Sequence, residues 1–123
     1  MIEHAGATVS TWVCNVATEE EVDAIFAQIA AQTGRLDAVV NNAGITRDSM
    51  LLKVKDGVVE KRMSVEHWQQ VVDVNLTGTF LCGRAAATEM VKAGYGGWSI
   101  NISSISRHGN LGQTICGATK AGV

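Results

Sequence analysis

The apolar residues of this chain change period along its length, from short continuous runs to the spacing of one helical face and back. That alternation limits the possible folds more than any other feature. Residues 7–13, ATVSTWV, are β-branched and aromatic and predict a strand. Thr18 stands three before Glu21, the spacing of a capping box, and Val22, Ile25, Phe26 and Ile29 follow as one apolar helical stripe. Gly34 is placed to end that helix in a left-handed conformation. LDAVV at 36–40 is a short buried-strand pattern opening into a turn at Asn41, Asn42, Ala43 and Gly44. The stretch from there to about Arg62, charged and interrupted by Gly57, is expected as an exposed loop.

Ser64 begins a second helix, with Glu66 in its first turn and Trp68, Val71, Val72, Leu76 and Phe80 as its buried stripe. It is expected to continue to Lys92 and to be ended by Gly94, Gly96 and Gly97. WSINIS at 98–103 is a further strand, and a helical pattern resumes at Gln113. Strand, helix, strand, helix, strand is the order of an α/β domain in which helices cross between parallel strands.

Composition closes off the alternatives. With 46% hydrophobic residues, no Pro and a net charge of −2, the chain is neither disordered nor collagen-like, and residues 1–123 are expected as one domain. No basic run matches a row of phosphates, so nucleic acid is not an expected partner. No apolar stretch is long enough to span a membrane, and the first ten residues lack an apolar leader pattern. Cys14, Cys82 and Cys116 are odd in number and widely spaced, which predicts free thiols in a cytoplasmic setting. They and the scattered His4, His67 and His108 predict no metal site.

No GxGxxG is present: Gly94 and Gly96 have the first spacing, but Ser99 stands at the third position. What remains is a set of polar residues at strand ends, where open α/β sheets hold their ligands. Asn41–Gly44 leaves one strand, Ser103 and Ser104 end another, and Lys120 lies on the helix after it. Asn75 falls inside an apolar helical face, where an amide needs partners. Each has a plain structural alternative: a turn for Asn41, a carbonyl partner for Asn75, caps for the serines, a solvated amine for Lys120.

Taken together, NNAG (41–44), DVNLTGTF (73–80), NISSIS (101–106) and GATKAGV (117–123) resemble the short-chain dehydrogenase/reductase family. Within it the likeness is to bacterial 3-oxoacyl-acyl-carrier-protein and acetoacetyl-CoA reductases, over nearly the whole chain. The resemblance implies that Asn41, Ala43 and Gly44 support the sheet and lie against the adenosine half of a nicotinamide cofactor. It sets Asn15 and Val16 near the adenine ring. It makes Asn75 the holder of a relay water, Ser103 rather than Ser104 the donor to the substrate carbonyl, and Lys120 the ligand of the nicotinamide ribose. NADP(H) is favoured over NAD(H) by the subfamily alone, and a homo-oligomer through residues 64–93 is implied.

Two departures qualify the resemblance. The family places tyrosine four residues before the lysine, and this chain has Cys116. A thiol can exchange a proton, but its short side chain ends several ångströms from where the phenol would act. A misplacement of about 1 Å can already cost about 10²-fold, so negligible turnover is expected. The family's glycine-rich turn and last strands also have no counterpart, giving a partial Rossmann-like, doubly wound parallel sheet without its first βαβ unit. Its first strand belongs at the far edge, apart from the other two. It must therefore re-pair, detach or find a partner, and an association-prone chain is expected. Two other readings stand beside the reductase. One is a non-catalytic remnant or an association module built on 64–93. The other is a thiol nucleophile pairing Cys116 with His108.

Overall fold

The computed structural model describes residues 6–47 and 49–123; His4 and the first half of the ten residues read for a leader pattern lie outside the described residues. The helix α1, Glu19–Thr33, is entered through Asn15, whose Oδ1 accepts from Ala17 N at 3.1 Å. The capping box does not form. Thr18 makes no side-chain cap, and the Glu21 carboxylate reaches past it to accept from Asn15 N at 2.8 Å. Three acidic residues in the first turn still suit the positive end of the helix. Gly34 ends α1 as expected, at φ 69° with its N–H on Ala30 O.

Residues 7–13 form no strand. A β-rich composition needs a neighbouring backbone to complete a ladder, and no described strand lies beside this segment. Of the three outcomes open to it, re-pairing with the next strand does not occur.

The parallel ladder consists of β1, Ala38–Asn41, and β4, Trp98–Asn101, in register from Ala38 opposite Trp98 to Asn41 opposite Asn101. Its strands are shorter than the sequence pattern suggests, although Ile102 N still bonds Asn41 O at 3.0 Å. Gly97 lets β4 enter: a Cβ there would lie 2.9 Å from Asp37 O and closer still to the Met90 side chain.

Between them stands an element the sequence reading takes for a loop. Leu52–Lys55 (β2) and Val58–Arg62 (β3) pair as an antiparallel hairpin. Its turn is Asp56-Gly57, at φ 51° and 79°, the pair of left-handed positions of a type I′ turn. The segment is exposed throughout, as expected, but it is ordered by its own ladder.

The long helix is two helices. Ser64 caps α2, Val65–Val72, its Oγ accepting from His67 N at 3.1 Å. There the Glu66 carboxyl is held below its ordinary pKa by its own backbone N–H and by the Ser64 hydroxyl. A π-helical turn, Asp73–Thr77, then intervenes before α3, Gly78–Lys92. The wider turn advances the helix face by one position. Leu81 and Ala85 are therefore buried, and Phe80, expected inside, is 59% exposed with Arg84 stacked 5.3 Å from its ring centroid. Val22, fully buried, joins Leu81 and Ala85 in the core between α1 and α3, flanked by Cys14, Phe26 and Cys82.

On α3, Gly83 faces the ladder: a Cβ there would sit 3.7 Å from Asn41 Nδ2 and 3.8 Å from Ser99 Oγ. Alternation then turns Val40, Trp98 and Ile100 to the opposite side, where they are 57%, 76% and 47% exposed. After β4 come a short 3-10 turn, Ile105–His108, and α4, Thr114–Gly122, packed on α2 and the π turn. Among the described residues no helix is long and apolar enough to cross a membrane.

Candidate active site

The C-terminal ends of β1 and β4, the π turn and α4 meet around a cavity of about 260 Å³. Gly44, Asn75, Cys116 and Lys120, all singled out from the sequence, line it together with Ile45, Ser104, Ser106 and Gln113. Gly44 and Lys120, 76 positions apart in the chain, are thus brought to one place by the two strand ends.

Asn75 is 2% exposed, and both polar atoms of its side chain are hydrogen-bonded. Its Oδ1 accepts from Ile45 N at 2.8 Å and its Nδ2 donates to Ile45 O at 3.0 Å. This pair clamps the segment leaving β1 onto the π turn. Gly44 permits the approach, since a Cβ there would stand 3.3 Å from Asn75 Oδ1. Ile45, which no sequence signal marks, takes part through its backbone alone.

Lys120 Nζ donates to Ile102 O at 2.6 Å, and Ser103 Oγ donates to Lys120 O at 2.6 Å. Side chain and backbone of one helical residue thus fasten α4 to the end of β4. Ser103, expected as the donor in the site, is not among the residues that line the cavity, and its hydroxyl is turned to this carbonyl. Ser104 and Ser106 line the cavity, the Ser104 Oγ accepting from Ser106 N and from Ser106 Oγ at 3.0 Å. Cys116 is buried on α4, one turn before Lys120.

The remaining expected residues lie elsewhere. Asn41 is buried beneath α3 and donates from Nδ2 to Asn101 Oδ1 at 2.8 Å, an amide pair bonded across ladder partners. It fastens the two strands. Ala43 is exposed and does not line the cavity. Asn15 serves the start of α1, and Val16 packs where a Cβ on Gly78 would meet its Cγ2 at 2.9 Å. His108 is exposed, with its Nε2 accepting from Arg107 Nε at 3.1 Å, and it is not among the residues that line the cavity with Cys116. No group of three or more possible metal ligands occurs among the described residues.

The thiols away from the cavity are electrostatically quiet. Burial, and then the Cys14 thiol nearby, push Cys82 above its ordinary pKa; burial, and then the Glu21 carboxylate, do the same for Cys14.

A parallel ladder with crossing helices and a polar cluster at the C-terminal strand ends is the arrangement of an open α/β domain. Comparison with known proteins makes the class specific: the short chain dehydrogenase family profile matches residues 1–123, and the chain belongs to that family. It is 46% identical over 110 residues to the 3-oxoacyl-[acyl-carrier-protein] reductase of Synechocystis sp., which covers 89% of this chain and 40% of that protein. The corresponding reductase of Staphylococcus aureus is 42% identical over 89% of this chain and 41% of its own length. That of Thermotoga maritima is 36% identical over 94% of this chain and 43% of its own. Among solved structures, ElxO with NADP bound superposes with a TM-score of 0.78 at 31% identity, over 92% of this chain and 42% of that one. The chain therefore spans about two fifths of the length of the proteins it matches.

Proposed function

We propose that this chain is the catalytic section of an NADP(H)-dependent cytoplasmic reductase of 3-oxoacyl thioesters, and that Cys116 deprives it of the acid the reaction needs. The observation that carries the reading is the meeting of Asn75, Cys116 and Lys120 on one cavity at the ends of the parallel strands. The reductase names of the relatives and the NADP bound to the structural neighbour support the substrate class and the cofactor.

The donor set fits the nicotinamide end of such a cofactor. Lys120 spends one ammonium proton on Ile102 O, and an ammonium has three, so donors remain for ribose hydroxyls. The cofactor, when bound, supplies the hydride. Ser103, released from the Lys120 carbonyl by a rotation of its side chain, polarises the 3-oxo group. Asn75, through its clamp on Ile45, keeps the wall of the site in place. The carbonyl oxygen must then gain a proton from the position occupied by Cys116, and the thiol does not reach it.

The test is NADPH oxidation by the protein purified from its own source, with acetoacetyl thioester as substrate. The natural sequence should give no turnover above background, and Cys116→Tyr should raise it by about 10² or more. Rapid turnover with Cys116 in place overturns the proposal, as does a folded, cofactor-binding Cys116→Tyr protein that gains nothing.

A second reading, self-association through residues 64–93, is favoured by one observation. Phe80 and Val91 are both exposed and three turns apart on the same face of α3.

A further inference from the structure

The hairpin carries charge that neither the fold nor the candidate active site uses. Residues 52–62 hold four of the ten cations of the chain, Lys53, Lys55, Lys61 and Arg62, but only two of its twelve carboxylates, Asp56 and Glu60. Lys53 stands directly opposite Lys61 in the ladder, a like-charged pair that disfavours the hairpin. The register shift after Lys53 brings Glu60 to its aid, at 2.8 Å from Lys53 Nζ. Lys55, Lys61 and Arg62 have no ion pair among the described residues. A protein of net negative charge thus concentrates unbalanced positive charge on one exposed ribbon.

That charge borders a cavity. About 330 Å³ lies at the base of the hairpin, lined by Ser49, Met50, Lys53, Lys61, Arg62 and Met63. Its base is closed by the bond from Met63 N to Leu51 O at 2.9 Å. Two methionines give an adaptable apolar surface and the cations give a rim for an anion. This cavity adjoins the candidate active site: Ser49 forms a parallel bridge with Gln113, and Gln113 lines the cavity that holds Asn75 and Lys120.

We propose that the hairpin cavity binds the phosphate end of the carrier on which the acyl thioester is presented, with Lys61 and Arg62 as the phosphate ligands and Met50 and Met63 against the apolar arm. The proposal rests on the thioester reading above. It adds a second point of attachment, so that the thioester end reaches Lys120 while the anionic end is held at the ribbon.

Binding to the full chain is read by titration calorimetry with three probes: phosphopantetheine, pantetheine without the phosphate, and adenosine 3′,5′-bisphosphate. Phosphopantetheine should bind at least roughly tenfold more tightly than pantetheine, and the preference should shrink with added salt. Lys61→Ala with Arg62→Ala should abolish the preference while leaving the circular dichroism of the chain unchanged. Tight binding of the bisphosphate as well points to a nucleotide-borne carrier, and its failure to bind points to a protein-borne one; either outcome supports the site. Equal binding of phosphopantetheine and pantetheine overturns it, as does a double variant that keeps the preference. The two proposals fail separately: this readout needs no turnover, and Cys116→Tyr changes nothing at the hairpin.

Discussion

Asn75 is the residue on which the candidate site turns, because its side chain bridges the π turn and the segment leaving β1. Asn75→Leu fills similar space but leaves Ile45 N–H and C=O without their partners. We expect a loss of about 2–4 kcal/mol, seen as a lower urea midpoint with unchanged slope. A midpoint within error of the parent would mean that water replaces the amide at no cost. Gly97 is the second sensitive residue. Gly97→Ala drives a methyl into Asp37 O and Met90, and a loss of about 1–3 kcal/mol is expected by the same measurement. Titration gives a third expectation. Both Cys14 and Cys82 have raised pKa values, so their neutral thiols favour the folded state. That contribution is complete below the ordinary thiol value and is lost as pH rises through the raised one. The urea midpoint should stay level up to about pH 8.5 and fall above it, and Cys82→Ser should flatten the decline.

At the scale of elements, the hairpin makes the most direct prediction. Gly57 sits at φ 79°, so a β-branched residue there is strained. Gly57→Val should open β2 and β3 locally, with fast amide exchange from Lys53 to Lys61, while protection in α1 and α3 is unchanged. The parts of the fold that were legible in the sequence are those written in local chemistry. Gly34 and Ser64 announced their helix ends, and the strand end at Asn41 followed from a short apolar run, whereas the second strand stops at Asn101, two residues before the end its pattern suggested. Asp56-Gly57 was equally legible, since that dipeptide between LKVK and VVEKR is a hairpin signal, and charge obscured it. The π turn was not legible. Nothing in DVNLT opposes ordinary winding, and the turn is held by a contact to Ile45, thirty residues away. The same distance hides the site: Cys116 and Lys120 show their spacing in the sequence, while their meeting with Asn75 depends on packing between α4 and the π turn. Residues 7–13 misled because strand propensity is a property of a pair of segments and only one of the pair is visible in a local pattern.

For the molecule as a whole, the ladder has a covered face and a bare one. α3 lies over Asn41 and Ser99, and Val40, Trp98 and Ile100 face outward. The 123-residue chain on its own should therefore associate as its concentration rises, with the Trp98 emission moving to shorter wavelength. Ile100→Lys should suppress that association in sedimentation velocity, whereas Phe80→Glu should have little effect on it. The opposite result would place the contact on α3 instead and favour the helix-borne association module.

The π turn also decides which kinds of inherited change this chain can absorb. Apart from those at Asn75, single replacements between Asp73 and Thr77 alter one side chain and leave the winding alone. Removal of one residue other than Asn75 from that stretch restores ordinary winding and keeps every later position on its present face, because the wide turn accommodates one extra residue. Leu81 would stay inward, Phe80 outward, and Gly83 against Asn41 and Ser99. In a gene, the loss of one codon in the middle of this helix is thus a lesion that the packing absorbs, at a place where exchanging the single codon for Asn75 is not absorbed.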